Sequence, residues 1–226
     1  MKEALVLFAK APRAGQVKTR LIGALTAEQV VDLYIGFLRD TFALMEAVQE
    51  TRESLSLVLC YTPAEEVEVF EAADLDGCLL LAQRGTQLGE RLQHCFADLF
   101  ELGFQSVVVI GADSPTLPAE ILTAAFDHLQ SPPRIVSGPT TDGGFYLIGL
   151  NHGQATLFAP IDWTVEQTFL QLCQRAAHQG HPIFALPEWY DIDTADDLVR
   201  LQEELRAEPD CARYTRRVLR QLFRVS

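Results

Sequence analysis

The sequence predicts an α/β fold with a mostly parallel central sheet, an antiparallel excursion, and helices on both faces. Three observations predict it. Apolar runs of strand length alternate with amphipathic helical segments along the chain. The segments 134–139 and 144–150 lie too close for a helical crossover, so one runs antiparallel to the other. No internal repeat, low-complexity stretch or long linker interrupts the pattern, so 1–226 is expected to form a single domain.

The elements follow in order. "ALVLFA" (4–9) is a continuous apolar strand. Residues 26–48 are helical: Thr26 and Gln29 form a capping box, and Val30, Leu33, Phe37 and Met45 build an apolar stripe. Residues 55–61 give a second strand, and 63–73 a short helix capped by Thr62. A strand at 78–83 leads to a helix at 88–103, and "SVVVIGAD" (106–113) is the most apolar strand. A helix at 118–130 precedes the two close strands at 134–139 and 144–150. Helices at 165–180 and 195–207 flank a strand at 182–187. The tail 211–226 carries Arg213, Arg216, Arg217, Arg220 and Arg224 without acids; Val218, Leu219 and Leu222 dock it, leaving a solvated basic face.

Composition excludes several functions. The chain is 48% hydrophobic and 22% charged, an ordinary globular balance, with a formal net charge of −13. That charge argues against a general nucleic-acid binder but leaves room for a small anion in a local basic pocket. Five scattered cysteines with no Cys-x-x-Cys pair read as reduced thiols. The apolar start is too short for a signal segment, and no stretch reaches a membrane span. The expectation is a cytoplasmic protein with no membrane and no nucleic-acid partner. No Ser–His–Asp or zinc-hydrolase arrangement stands out.

In such sheets ligands bind at the carboxyl ends of strands, and four groups of residues sit there. "FAKAPRAGQVKTRL" (8–21) holds Lys10, Arg13, Lys18 and Arg20 and no carboxylate. Pro12 and Gly15 permit a loop that exposes backbone N–H groups, and a helix starting near Val17 would aim its positive end at the same anion. The motif is neither Walker A nor Gly-x-Gly-x-x-Gly. A solvated basic turn is the plain alternative; the place of the cations after the first strand favours phosphate binding. "GADSP" (111–115) sets Asp113 at a strand end, suited to Mg²⁺ or Mn²⁺ or to a turn cap. In "GPTTDGGFYLIGL" (138–150), Gly143 and Gly144 could let a ligand approach beside Asp142, or simply make a hairpin turn. In "WYDIDTADDL" (189–198), Thr194 caps a helix whose first turn holds Asp196 and Asp197, while Asp191 and Asp193 lack that structural explanation and offer a second metal ligand. A further stretch, "QRGTQLGERL" (83–92), offers Gln83 and Gly89 to a base or sugar, or is a plain connection.

Together and in this order, the four groups resemble a bacterial GT-A-type glycosyltransferase family of unknown function. Some of its members are named for radical-SAM and selenoprotein-linked domains. It lies in the nucleotide-diphospho-sugar transferase superfamily, beside guanylyltransferases acting on phospholactate or molybdopterin. The resemblance implies a Rossmann-like GT-A fold across 1–226, with a nucleotide at the strand ends. It implies a phosphate loop of Lys10, Arg13, Gly15, Lys18 and Arg20; Pro12 within that loop, and Gln83 and Gly89 beyond it, are nucleotide-binding candidates from the residues alone. It gives Asp113 a metal-binding role and Asp193 that of second acidic ligand. The Leu-x-Gly-Gly opening of sugar nucleotidyltransferases is replaced by Phe8-Ala9-Lys10-Ala11-Pro12, and the Lys-Thr-Arg-Leu ending looks like the phospholactate guanylyltransferases.

The expected activity is metal-dependent nucleotidyl transfer from a nucleoside triphosphate to a small phosphorylated or carboxylate acceptor. Pyrophosphate is released, and Lys18 and Arg20 neutralise it. The alternative is glycosyl transfer from a nucleotide-sugar, with Asp142 as base and Gly143 and Gly144 against the substrate. A third reading is a non-catalytic nucleotide-binding protein. Separation decides between enzyme and scaffold: Asp113 and Asp193 close enough to share one ion favour an enzyme.

Overall fold

A computed structural model describes residues 1–73, 75, 77–130, 134–151, 157–159, 161–163 and 167–223. Its centre is a seven-stranded sheet. The strands are β1 (Glu3–Lys10), β2 (Leu55–Thr62), β3 (Leu79–Ala82), β4 (Ser106–Ile110), β5 (Ile135–Pro139), β6 (Phe145–Leu150) and β7 (Ile183–Ala185). Their spatial order is β3-β2-β1-β4-β6-β5-β7. Only β6 is antiparallel, to both β4 and β5; the other described pairs are parallel. The short 134–150 connection thus produces the expected antiparallel excursion.

The strands are apolar throughout because both faces are covered. Alternation sends Leu5, Leu7, Val108 and Ile110 into one core and Ala4, Val6, Val107 and Val109 into the other. The first core is closed by α1 (Ala27–Glu50), α3 (Ala119–His128), α5 (Ala195–Ala207) and α6 (Arg213–Leu222). The second is closed by α2 (Leu88–Glu101) and α4 (Thr168–His178). Leu219 of α6 is buried in the first core and Val218 and Leu222 pack against it, so the arginine-rich tail docks as expected. Arg224 lies outside the described residues, as do the first positions, 165 and 166, of the expected 165–180 helix.

Three expectations change. No helix begins near Val17. Gly15 (φ 74°), Lys18 (φ 43°) and Gly23 (φ 115°) take left-handed backbone, which breaks right-handed propagation and leaves one 3₁₀ turn at Thr19–Leu21. Residues 64–73 form 3₁₀ turns rather than an α-helix, interrupted at Glu66, whose carboxylate is turned to Arg13. The strand expected to run to 113 ends at Ile110, so Gly111, Ala112 and Asp113 belong to the loop above the sheet. None of the described helices is long and apolar enough to cross a membrane.

Candidate active site

Three loops meet above the carboxyl ends of β1 and β4. The first is 10–21. The second is 111–118, between β4 and α3. The third is 186–194, which crosses the sheet edge before α5. Backbone hydrogen bonds strap that third loop down: Trp189 N–H donates to Pro139 O at 3.1 Å, Thr141 N–H to Trp189 O at 3.1 Å, and Ile192 N–H to Asp113 O at 2.9 Å. Its end is fixed by the Thr194 capping box, in which the Thr194 hydroxyl oxygen accepts from Asp197 N–H and the Asp197 carboxylate accepts from Thr194 N–H.

Lys18 stands at the junction. Its ammonium lies 2.8 Å from an Asp113 oxygen and 2.6 Å from an Asp193 oxygen. The lysine side chain is only 7% exposed, while Asp113 and Asp193 remain 40% and 36% exposed. Burial opposes the lysine charge, but Asp113 and Asp193 outweigh it and hold the pKa above the ordinary lysine value. Arg20 reaches the other Asp193 oxygen at 3.8 Å. Lys10 donates to the Gln16 carbonyl at 2.9 Å. Lys10, Lys18, Arg20, Asp113 and Asp193, with Gln16, Val17, Thr19 and Tyr34, line one cavity of about 300 Å³.

Two further groups sit against it. Tyr34, on the apolar stripe of α1, is buried with its oxygen accepting from Lys10 N–H at 3.2 Å. Burial and the nearby Asp113 charge keep its phenol protonated. Its place in a helical stripe reads as core, so only its hydroxyl hinted at a site. Asp191 accepts from the Ser114 hydroxyl at 2.7 Å. Burial first, then the Asp113 charge, pushes its carboxyl up to about 7. Sequence separates Ser114 from Asp191 by 77 positions and three strands, and no local pattern pairs them.

The other expected residues are distributed differently. Arg13 turns outward to Glu66 at 2.8 Å. Pro12 and Gly15 shape the loop without lining the cavity. Gln83 donates its amide to Ala9 O at 3.3 Å and Cys60 O at 2.8 Å, tying β1 to β2. A Cβ on Gly89 would meet the Trp163 ring at 2.8 Å, so this glycine accommodates an indole. Asp142 accepts from the Thr140 hydroxyl at 2.5 Å and from Gly144 N–H at 3.1 Å, closing the turn between β5 and β6. Gly143 takes φ 88° there, and its carbonyl accepts from Phe169 N–H at 2.9 Å. The hairpin reading of 138–150 therefore holds, and the turn stays beside the site through the Thr140–Trp189 bridge.

For a divalent ion, Asp113 and Asp193 present hard oxygens to one point, and that point already receives a cation, the Lys18 ammonium. No cluster of three or more His, Cys, Asp or Glu side chains suited to a metal occurs among the described residues. An ion held by these two carboxylates would complete its shell with water and ligand oxygens, the habit of Mg²⁺ and its analogues.

The fold is that of the nucleotide-diphospho-sugar transferases. A Desulfovibrio desulfuricans G20 protein described as a candidate nucleotide-diphospho-sugar transferase superposes with a TM-score of 0.86. The two are 29% identical, over 98% of this chain and 95% of that one. CMP:2-keto-3-deoxy-manno-octonic acid synthetase, complexed with CTP, gives a TM-score of 0.53 at 12% identity over 92% of this chain and 100% of its own. Rv0371c of Mycobacterium tuberculosis H37Rv, in complex with manganese, gives 0.51 at 17% over 90% and 99%. At the two lower identities the likeness is one of fold. No curated protein matches the chain. The sequence pattern of the family described as "Uncharacterized protein conserved in bacteria (DUF2064)" matches residues 44–165.

Proposed function

Starting from the fact that this chain belongs to the bacterial DUF2064 family, we propose that it is a metal-dependent nucleotidyltransferase. It transfers a nucleotidyl group from a nucleoside triphosphate to a small phosphorylated or carboxylate acceptor. One observation carries the reading: Lys10, Lys18 and Arg20 share a cavity at the strand ends with Asp113 and Asp193. Cations alone would suit any anion; cations beside two convergent carboxylates suit a polyphosphate that arrives with a divalent ion. The CTP complex of one relative in fold and the manganese complex of another support this assignment.

The chain's own groups then have these roles. Lys18 and Arg20 neutralise the β- and γ-phosphates, and Lys10 together with the backbone of 10–21 orients them. An acceptor oxygen attacks the α-phosphorus in line; the new O–P bond forms as the α–β bridging bond breaks, and pyrophosphate carries away the electron pair. A phosphate or carboxylate acceptor is already anionic, so no protein base is needed. A bound Mg²⁺ or Mn²⁺, held by Asp113 and Asp193, supplies charge neutralisation on the phosphate oxygens. The triphosphates required place the reaction in the cytoplasm.

Glycosyl transfer is the second reading, favoured by the description of the D. desulfuricans relative. It requires a base for an acceptor hydroxyl, and Asp142 is committed to closing its own turn. The test is incubation of purified protein with Mg²⁺, a cell extract, and each nucleoside triphosphate or UDP- or GDP-sugar in turn. Pyrophosphate formed from one triphosphate and abolished by Asp113→Asn is the expected result. A nucleoside diphosphate released from a sugar donor establishes glycosyl transfer. Binding without either product leaves the scaffold reading.

A further inference from the structure

Lys18 occupies the point at which Asp113 and Asp193 converge. An ammonium and a divalent ion cannot both hold that point: metal–oxygen distances of about 2.0–2.2 Å would bring the ion into the space of the Lys18 nitrogen. We propose that Lys18 is a resident counter-ion that competes with the divalent ion for Asp113 and Asp193, so that the ion enters only as Lys18 leaves. This rests on the metal-binding role given to the two carboxylates above.

Three observations support it. The two contacts are both at direct ion-pair distance, so the ammonium satisfies both carboxylates at once. Lys18 is held there by left-handed backbone (φ 43°, ψ 42°), a conformation that costs a non-glycine residue free energy and that the loop must maintain. Finally, the residue is a lysine in a chain that otherwise uses arginine: of 18 basic side chains, only Lys2, Lys10 and Lys18 are lysines. A compact ammonium on a flexible four-carbon stem can leave one pair of oxygens for another; a planar guanidinium is built to stay in a bidentate fork. Phosphate oxygens provide the displaced ammonium with a new partner. Anion and metal therefore bind with positive coupling, and each raises the affinity of the other by the same factor.

Calorimetric titration of Mn²⁺ tests the competition directly. Without any anion, Lys18→Met is expected to bind Mn²⁺ at least about ten-fold more tightly than the wild type, a difference of about 1.4 kcal/mol. Adding Asp113→Asn to that variant is expected to remove the site. Sulfate, a weakly chelating phosphate mimic, should tighten Mn²⁺ binding to the wild type and leave Lys18→Met unchanged. Equal or weaker binding by Lys18→Met, or indifference of the wild type to sulfate, overturns the proposal. Mn²⁺ binding that ignores Asp113→Asn in both backgrounds overturns the metal assignment as well, which separates the two failures. A measurement on the wild type alone avoids any folding defect of the variant. Reductive methylation followed by mass spectrometry should find Lys18 protected in the metal-free protein and several-fold more reactive at saturating Mn²⁺, with Lys2 unchanged. Unchanged Lys18 reactivity under saturation also overturns it.

Discussion

Lys18 shows what single residues contribute and how far sequence reveals it. Its charge and its place after β1 single it out as a candidate phosphate ligand from the sequence alone. Its engagement with Asp113 and Asp193 depends on loops 95 and 175 positions away in the chain, which no local pattern relates. Replacing Lys18 with Ala is expected to lower the rate of pyrophosphate release by roughly 10²-fold, the scale of losing one preorganised charge contact in a transition state; steady-state kinetics measure it. Asp191 gives a pH-dependent prediction. Its folded pKa, about 7, lies above the unfolded carboxylate value of 3.8. The folded state then binds more protons between these values, so this group's contribution to stability falls as pH rises through that window. In chelator-treated, metal-free protein, Asp191→Asn should raise the melting temperature at pH 8 by several degrees and leave it unchanged at pH 4. An equal shift at both pH values would show that Asp191 is not held protonated.

At the scale of elements, the caps and strands are legible because they obey local rules. The Thr26–Gln29 capping box stands as the sequence reads, and so does the Thr194 cap. Thr194→Ala should cost about 1 kcal/mol and loosen the end of the loop that carries Asp193; denaturant unfolding with a parallel Mn²⁺ titration measures both effects. The 10–21 loop was not legible in the same way. Its expected helix is replaced by left-handed residues, of which only the glycines announce themselves. The packing of α6 on α1 was legible only from the α6 side. Its apolar residues are visible, whereas the receiving surface depends on Gly36, where a Cβ would come within 3.2 Å of the Thr215 backbone. That backbone is fixed by Asp40, which accepts from Tyr214 N–H at 2.9 Å and Thr215 N–H at 2.7 Å. Gly36→Val is therefore expected to destabilise the protein by about 1–3 kcal/mol through overpacking, read as a lower denaturation midpoint.

For the whole molecule, the alternation of apolar strands and amphipathic helices was enough to read the fold class, since two covered faces demand apolar strands. Strand order was not readable: β4 beside β1, and β6 between β4 and β5, are choices made by long-range packing. That order has the functional consequence, because it brings the loops after β1 and β4 together under the segment before α5. An acidic protein can thereby present a basic cavity, and carboxylates from two of those loops converge on the cation supplied by the third. The most direct measurement is a crystal structure with Mn²⁺ and a non-hydrolysable nucleoside triphosphate, located by anomalous scattering. The account predicts a manganese peak between Asp113 and Asp193, with the Lys18 ammonium moved onto a phosphate oxygen. Manganese elsewhere, or Lys18 still between the two carboxylates with nucleotide bound, would contradict it.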